Sequence, residues 1–321
     1  MGVYAEVQTP ILIIGFNRPK TLQALLVEVE KLQTRDVWIT VDAPRSETDI
    51  PSVNSTIAIA KTWAAMTKHS AKVINRSQNL GIYLHCIYAL QEFYSVFEIG
   101  IILEDDIQFS QSFISFVDRH HFELHSGNYW SICGHNPSKD LSELPKKKEV
   151  FFYPTHVHTI WGWAAHRKSI NYFLDFRASA SLLKMTQTIN LAAKGITVDP
   201  FMRIGIRKVW ERKIIRANES DSGGGWDNYW LLAGWNSTLP SLIPTYSLSR
   251  ENPIQLEGQS HQHNSNGKSW ESITHSGEVL PRIKVSMRNR DIPKLKVWGI
   301  SRKYCWFFAL RLVKWKPDVS G

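Results

Sequence analysis

Short apolar runs alternate with longer amphipathic stretches along the first hundred residues of the chain. Four of the runs have the length of buried strands: residues 10–16, 37–41, 72–75 and 100–103. Between them lie three stretches with apolar residues at helical spacing, around residues 22–29, 52–68 and 81–97. Strands that alternate with helices predict an α/β fold with a mostly parallel sheet flanked by helices.

Three consecutive carboxylates follow the fourth predicted strand: Glu104, Asp105 and Asp106. Side chains alternate along a strand, so Glu104 and Asp106 are expected on one face and Asp105 on the other. Ligands of such sheets bind outside the carboxyl ends of the strands, where Arg18 and Asp42 are also predicted to lie. Oxygen ligands without sulfur suit magnesium or manganese, and these ions suit the phosphates of a nucleotide. An isolated triplet could simply be the solvated start of a loop. Its position at the strand ends of a predicted α/β sheet, near Arg18 and Asp42, favours the metal-binding part of a nucleotide-sugar site.

Two aromatic motifs stand in the second half of the chain. Trp161 and Trp163 flank Gly162, and two flat rings beside a glycine suit stacking against a sugar, although such rings could equally belong to the core. Residues 223–225 are a glycine run that precedes Trp226 and Asp227 at a predicted helix start. A carboxylate next to a glycine run is typical of a mobile lid, while an Asp is also favourable in any first helical turn.

Composition and charge limit the classes of protein that remain. The chain has 321 residues, of which 43% are hydrophobic, and three cysteines that suggest neither a disulfide framework nor a metal cluster. No apolar run approaches the length of a membrane span, and the N-terminus lacks the pattern of a signal peptide, so a cytoplasmic protein is expected.

The net charge of +9 belongs to the C-terminal residues. Residues 282–321 carry 11 Lys and Arg against two Asp, whereas the remainder of the chain is neutral. Tryptophan and phenylalanine interleave with these basic residues, which is the composition of a segment that lies on the anionic inner face of the plasma membrane. A C-terminal helix that packs its aromatics on the body is the alternative. Nucleic acid is not expected as a partner, because no nucleic-acid-binding motif is present.

Seven short motifs also follow one another in the order found in one group of enzymes: Asn17-Arg18-Pro19, Asp42-Ala43-Pro44-Arg45, Asn79-Leu80-Gly81, Ile102-Leu103-Glu104-Asp105-Asp106, Trp161-Gly162-Trp163-Ala164, Trp226-Asp227-x-x-Trp230 and Gln259-Ser260-His261. With these motifs the chain resembles bacterial glycosyltransferases of polysaccharide gene clusters, which look like relatives of the N-acetylglucosaminyltransferase I type. The resemblance implies a GT-A-like, Rossmann-type domain over residues 8–265, with a nucleotide-binding half at 8–125 and an acceptor half at 126–265. The basic extension at 282–321 lies outside it.

The activity implied by the resemblance is that of an inverting transferase that needs Mn²⁺ or Mg²⁺. Its donor would be a nucleoside-diphosphate sugar, usually a UDP-sugar, and its acceptor a glycan or a lipid-linked sugar. At the nucleotide sugar, the implied roles are Arg18 at the diphosphate, Asp42 at the base, Glu104 and Asp105 at the metal-water shell and the ribose, and Asn79 as a further binding residue. Asp106 would bind the metal directly and His261 would lie near it. Asp227 would be the general base, and the residues at the sugar or acceptor would be Trp161, Gly162, Trp163 and Trp226.

Two departures from the family pattern affect these assignments. In the N-acetylglucosaminyltransferase I type the corresponding segment reads Trp-Asp-Asp-Trp and its second Asp is the base, whereas Asn228 stands there in this chain and Tyr229 is an extra residue. The base is therefore predicted to be Asp227, with Glu219, Asp221 and His263 as the nearest alternatives. Ala43 replaces the usual glycine after the base-contacting Asp.

Two other functions remain open at this point. A nucleotidyltransferase would use a similar sheet, but it would normally carry a glycine-rich loop with a Lys or Arg after the first strand, which residues 15–19 do not provide. A catalytically silent carbohydrate-binding protein, attached to a membrane by its tail, would keep the fold and bind no nucleotide.

Overall fold

The computed structural model describes residues 7–136, 152–196, 210, 225–244 and 247–252. The strands of this part are β1 Ile11–Gly15, β2 Asp36–Val41, β3 Ser70–Asn75, β4 Ile99–Glu104, β5 Ile107–Phe109, β6 Ile132–Cys133, β7 Phe152–Thr155, β8 Trp163–His166, β9 Ser241–Pro244 and β10 Ser249–Glu251. The helices are α1 Pro19–Glu30, α2 Ile50–Met66, α3 Gly81–Val96, α4 Gln111–Arg119, α5 His121–His125, α6 Arg167–Ala178, α7 Leu182–Ile196 and α8 Trp226–Ser237.

Eight of the strands form one mixed sheet in the order β3-β2-β1-β4-β8-β6-β9-β7. The pairs among β1 to β4 are parallel, which confirms the predicted α/β fold and its mostly parallel sheet. β8 runs antiparallel to β4, and β6 runs antiparallel to β8, so β6 has the same direction as β4. Strands from both expected halves, 8–125 and 126–265, therefore belong to the same sheet.

Both faces of the sheet are buried. Ile11, Ile13 and their neighbours on β2 and β4 face α1, α2 and α4, while Leu12 and Ile14 face α3, α6 and α8. Helices cover both faces of these central strands, so apolar residues are needed at consecutive strand positions. Gly100 of β4 is part of the same packing, since a Cβ there would lie 2.2 Å from the ring of Phe93 on α3.

The register of the parallel strands places their carboxyl ends in line. Gly15 of β1 pairs with Val41 of β2, and Ile14 pairs with Glu104 of β4. The residues that follow these strands therefore share one edge of the sheet, which we call the carboxyl edge. In such sheets this edge is where ligands bind.

Among the helices described, none combines the length and the hydrophobicity needed to cross a membrane. The basic C-terminal extension at 282–321 lies outside the described residues, so its predicted membrane contact stays a prediction.

A buried ion pair lies at the amino ends of β1 and β2, opposite the carboxyl edge. Arg35 Nη2 lies 3.2 Å from Asp118 Oδ2, and both side chains are nearly inaccessible to solvent. The other oxygen of Asp118 accepts a hydrogen bond from the backbone N–H of Thr9, just before β1, at 2.9 Å. The pair thus joins the loop before β2 and helix α4 to the start of β1.

We expect Arg35→Met to lower the free energy of unfolding by about 3–5 kcal/mol, because it leaves the Asp118 carboxylate buried without its cation. Urea denaturation measures the loss. Lys31→Met is the matched control: it breaks the exposed pair with Glu28, at 2.7 Å, and should cost less than about 1 kcal/mol. Equal losses in the two variants would contradict a stabilising role of the buried pair.

Candidate active site

The acidic triplet lies on a turn rather than along a continuous strand. β4 ends at Glu104, and Asp105 and Asp106 form the turn before β5. Arg18 Nη1 donates to Asp105 Oδ1 at 3.0 Å and to Asp106 Oδ2 at 2.7 Å. The backbone N–H of Phe16 donates to Asp105 Oδ2 at 2.8 Å. The predicted alternation of the three side chains is therefore wrong beyond Glu104, because the chain turns and directs both aspartates toward Arg18.

Charge is unbalanced at this turn. Glu104 makes no hydrogen bond or ion pair with any described residue, and burial, together with the negative charges of Asp106 and Asp105, raises its pKa to about 8. Burial raises the pKa of Asp105 to about 6 although Arg18 opposes the shift. One arginine thus faces three carboxylates.

The donor set of the turn fits a hard divalent cation. Both oxygens of Glu104 and the Oδ1 atom of Asp106 have no hydrogen-bond partner among the described residues, whereas Asp105 uses both of its oxygens within the protein. Carboxylate oxygens and an excess of negative charge are what Mg²⁺ and Mn²⁺ prefer. Glu104 and Asp106 are therefore the residues that could hold the ion.

A second group of potential ligands lies at the opposite end of β4. Ligand atoms of Glu98, His125 and His166 lie within 4.8 Å of one another. His166 Nδ1, however, accepts a hydrogen bond from the backbone N–H of Lys168 at 2.9 Å. A neutral imidazole that accepts at Nδ1 carries its proton at Nε2, so the ring has no second lone pair for a metal. His166 would therefore have to give up this hydrogen bond to act as a ligand. The three carboxylates of the acidic turn do not bring their ligand atoms within 4.8 Å of one another, so at the turn a pair of carboxylates would have to hold the ion.

Asp42 and Asn79 lie side by side at the carboxyl edge. Asp42 follows β2, and its carboxylate accepts hydrogen bonds from the backbone N–H of Ala43 at 2.9 Å and of Leu80 at 3.0 Å, and from Asn79 Nδ2 at 3.2 Å. The side chain is buried. These contacts attach the start of α3 to the end of β2. Direct contact of Asp42 with a base would have to replace one of them.

Asp227 lies in the first turn of α8, after Gly225, whose φ of +50° is the left-handed conformation that favours glycine. The Asp227 carboxylate is half-buried and has no partner among the described residues. Its charge contributes to the raised pKa of Glu104. Burial raises the pKa of Cys86 on α3, and the charges of Glu104, Asp227 and Asp42 act in the same direction. The three carboxylates therefore act on one buried thiol, which the sequence did not indicate.

The expected stacking surface is largely absent. The rings of Trp163 and Trp226 are 1% and 2% exposed, lie 6.1 Å apart and pack with Trp230 in the core. The prediction that these two rings contact a sugar is corrected, because the apolar layer between sheet and helices covers them. Trp161 remains, at 38% exposure. Gly162 adopts a φ of +73° and packs against Ser249.

His135 is a site residue that the sequence reasoning missed. Its ring lies 4.5 Å from that of Trp161, and β6, which it follows, ends at the carboxyl edge. Burial lowers its pKa to about 4, so the ring is neutral near pH 7. Nδ1 lies 3.3 Å from the carbonyl oxygen of Ser249, and donation there leaves Nε2 as an acceptor. A lone histidine after a two-residue strand carries no sequence signal that would have distinguished it.

The remaining predicted site residues lie outside the described part of the chain: His261, the alternative bases Glu219, Asp221 and His263, and the glycines at 223 and 224. A comparison with protein-family models found no match for this chain, and no curated protein matches it at a significant level. The fold and the acidic edge define an α/β protein whose carboxyl edge gathers several carboxylates around Arg18.

Glu104→Gln should stabilise the protein at high pH. The pKa of Glu104 in the folded state, about 8, lies above its ordinary value of 4.5, so ionisation costs stability as the pH rises from 4.5 through 8. With a chelator present, the variant should exceed the native chain in free energy of unfolding above pH 8. The difference should vanish well below pH 4.5, where Glu104 is protonated in both states. Urea denaturation across this range measures it, and a variant less stable than the native chain at pH 8 would contradict the expectation.

Proposed function

We propose that the protein is an inverting, metal-dependent glycosyltransferase of the GT-A type. It would transfer a sugar from a nucleoside-diphosphate sugar, UDP-linked by the motif pattern, to a glycan or glycolipid acceptor in surface polysaccharide synthesis. The observation that carries the proposal is the carboxyl edge itself. Several carboxylates share it, and two of them, Glu104 and Asp227, have no partner among the described residues.

The donor diphosphate would bind between the acidic turn and Arg18. Arg18 stands immediately before α1, and two carboxylates hold its Nη1 atom. Its Nε and Nη2 atoms make no hydrogen bond with a described residue, so they can donate to phosphate oxygens. Glu104 and Asp106 would hold the divalent cation, which when bound neutralises the charge of the departing diphosphate.

The acceptor would be activated by Asp227. In the inverting reaction the acceptor oxygen forms a bond to the anomeric carbon while the bond from that carbon to the diphosphate breaks. The acceptor hydroxyl then needs a base on the side of the sugar opposite the leaving group. A half-buried carboxylate without a cationic partner at a helix start can take this proton. Trp161 and the neutral His135 beside it would contact the sugar.

A ligand screen tests the proposal as a whole. A ligand that binds only the native state raises apparent stability by mass action, so UDP together with Mn²⁺ should raise the melting temperature more than either alone. Nucleotide sugars incubated with Mn²⁺ should be hydrolysed slowly, and the one hydrolysed identifies the donor. The proposal fails if UDP and Mn²⁺ leave the melting temperature unchanged and none of the nucleotide sugars is consumed.

Asp106→Asn should leave the fold intact and raise the manganese concentration needed for half-maximal activity, or abolish transfer. An amide oxygen lacks the charge that holds the cation. Donor hydrolysis measured against manganese concentration gives the result. Asp36→Asn, at the amino end of β2, is the matched control and should behave like the native chain. Unchanged manganese dependence in the Asp106 variant would remove this residue from the metal site.

Asp227→Asn should lower the rate of transfer by about 10² to 10⁴, the usual contribution of a general base. The affinity for UDP should remain nearly unchanged, because Arg18 and the acidic turn bind the donor. Steady-state kinetics and UDP titration measure the two effects. Asn228→Ala, one residue along the same helix, is the control and should have a much smaller effect. If Asn228→Ala is the crippling change instead, the base lies elsewhere than at Asp227.

A further inference from the structure

Three helix ends meet at the carboxyl edge. α3 begins there, because it follows β3, whose last residue pairs with the last residue of β2. α6 ends there, because it follows β8, which runs antiparallel to β4, and it returns across the sheet. α8 begins there with Asp227 in its first turn, and the three helices pack on one another. The last turn of α6 carries Arg177.

Tyr83 on α3 holds Arg177, and Tyr229 on α8 packs against Tyr83. The Nε atom of Arg177 donates to the hydroxyl oxygen of Tyr83, and its Cζ atom lies 4.8 Å from the centroid of the same ring. The Tyr83 ring lies 6.0 Å from that of Tyr229, two residues beyond Asp227 on α8. Burial and Tyr83 raise the pKa of Tyr229, and the positive charge of Arg177 opposes them. The guanidinium is therefore fixed beside the start of α8.

No carboxylate in the described part of the chain forms an ion pair with Arg177. Four other arginines of that part do form such pairs: Arg18, Arg35, Arg45 and Arg76. A cation in the last turn of a helix is favourable in itself, but this does not explain why the guanidinium is half-buried and held by uncharged groups. A second cation, Lys184, lies at the same end of α6, with its Nζ atom 2.9 Å from Ser179 Oγ.

We propose that Arg177 binds an anionic group of the acceptor, a phosphate or a carboxylate, next to Asp227. A guanidinium presents parallel donors that match both groups, and Arg177 keeps its Nη atoms free of hydrogen bonds to described residues. Arg18, at the ends of β1 and β4, would bind the donor diphosphate, so Arg18 and Arg177 would bind different anions. The assignment of this anion to the acceptor depends on the proposed function, whereas the anion site itself does not.

The test is a titration of the full chain with glucose 1-phosphate and with glucuronate, using methyl glucoside as the neutral control. UDP and Mg²⁺ are present in one series, so that the donor site is filled, and absent in the other. We expect saturable binding of at least one anionic sugar in calorimetry and in thermal shift, and none of methyl glucoside. Preference for the phosphate indicates a phosphate-bearing acceptor such as a lipid-linked sugar, and preference for glucuronate indicates an acidic sugar.

Arg177→Met should weaken this binding about tenfold or more, as expected for loss of a charge-assisted contact. Arg167→Met is the matched control, because Arg167 lies at the other end of α6 and donates to the carbonyl oxygens of Phe97 and Val96. Tyr83→Phe keeps the ring and removes the hydroxyl that positions the guanidinium, so it should weaken binding by a smaller factor. It also provides the test if Arg177→Met does not fold.

The proposal is overturned if the native chain binds neither anionic sugar, or if both Arg177→Met and Tyr83→Phe bind as tightly as Arg167→Met. The two proposals fail separately. Binding that depends on Arg177 while UDP and metal leave the protein unaffected would keep the anion site and remove the glycosyltransferase. UDP binding without any anion site would do the reverse.

Discussion

The contact of Arg18 with Asp105 and Asp106 is the interaction on which the carboxyl edge depends. Carboxylates cannot be gathered in a half-buried turn without a counter-charge, since both burial and mutual repulsion oppose their ionisation. Arg18 supplies that charge from the residue before α1, and the backbone N–H of Phe16 adds a hydrogen bond from the same segment. The end of β1 and the turn after β4 therefore hold each other in place.

The counter-charge is nevertheless incomplete. Glu104 and Asp227 remain without partners in the described part of the chain, and the charge of Asp227 raises the cost of ionising Glu104. A protein selected for stability alone would pair or remove such groups, because strongly perturbed carboxyls cost stability near neutral pH. Their presence at the ligand-binding edge of the sheet is more typical of a site that a cation and a substrate complete.

The first half of the fold could be predicted from the sequence because β1, β2 and β4 are covered on both faces and read as nearly uninterrupted apolar runs. β6 and β9 have only two and four residues, and their places in the sheet depend on the pairing of β6 with β8 and of β9 with β6, which no local pattern records. In the site, the sequence identified the three carboxylates but not the directions of their side chains. The alternation of side chains between the two faces of a strand holds only as far as the strand extends. Burial of Trp163 and Trp226 could not be decided either, because a stacking ring and a core ring have the same composition.

In the proposed function, the two arginines of the carboxyl edge would divide one site between two substrates by their charge. Arg18 is tied to carboxylates, so it remains in place whether or not a donor is bound, and its remaining donor atoms face a region that already carries negative charge. Arg177 is tied to a phenol, which fixes its position without neutralising it. An anion that approaches Arg177 therefore meets an unneutralised cation, whereas an anion at Arg18 meets a cation that two carboxylates already neutralise in part. This asymmetry would orient an acceptor with its charged group at α6 and its reacting hydroxyl at Asp227.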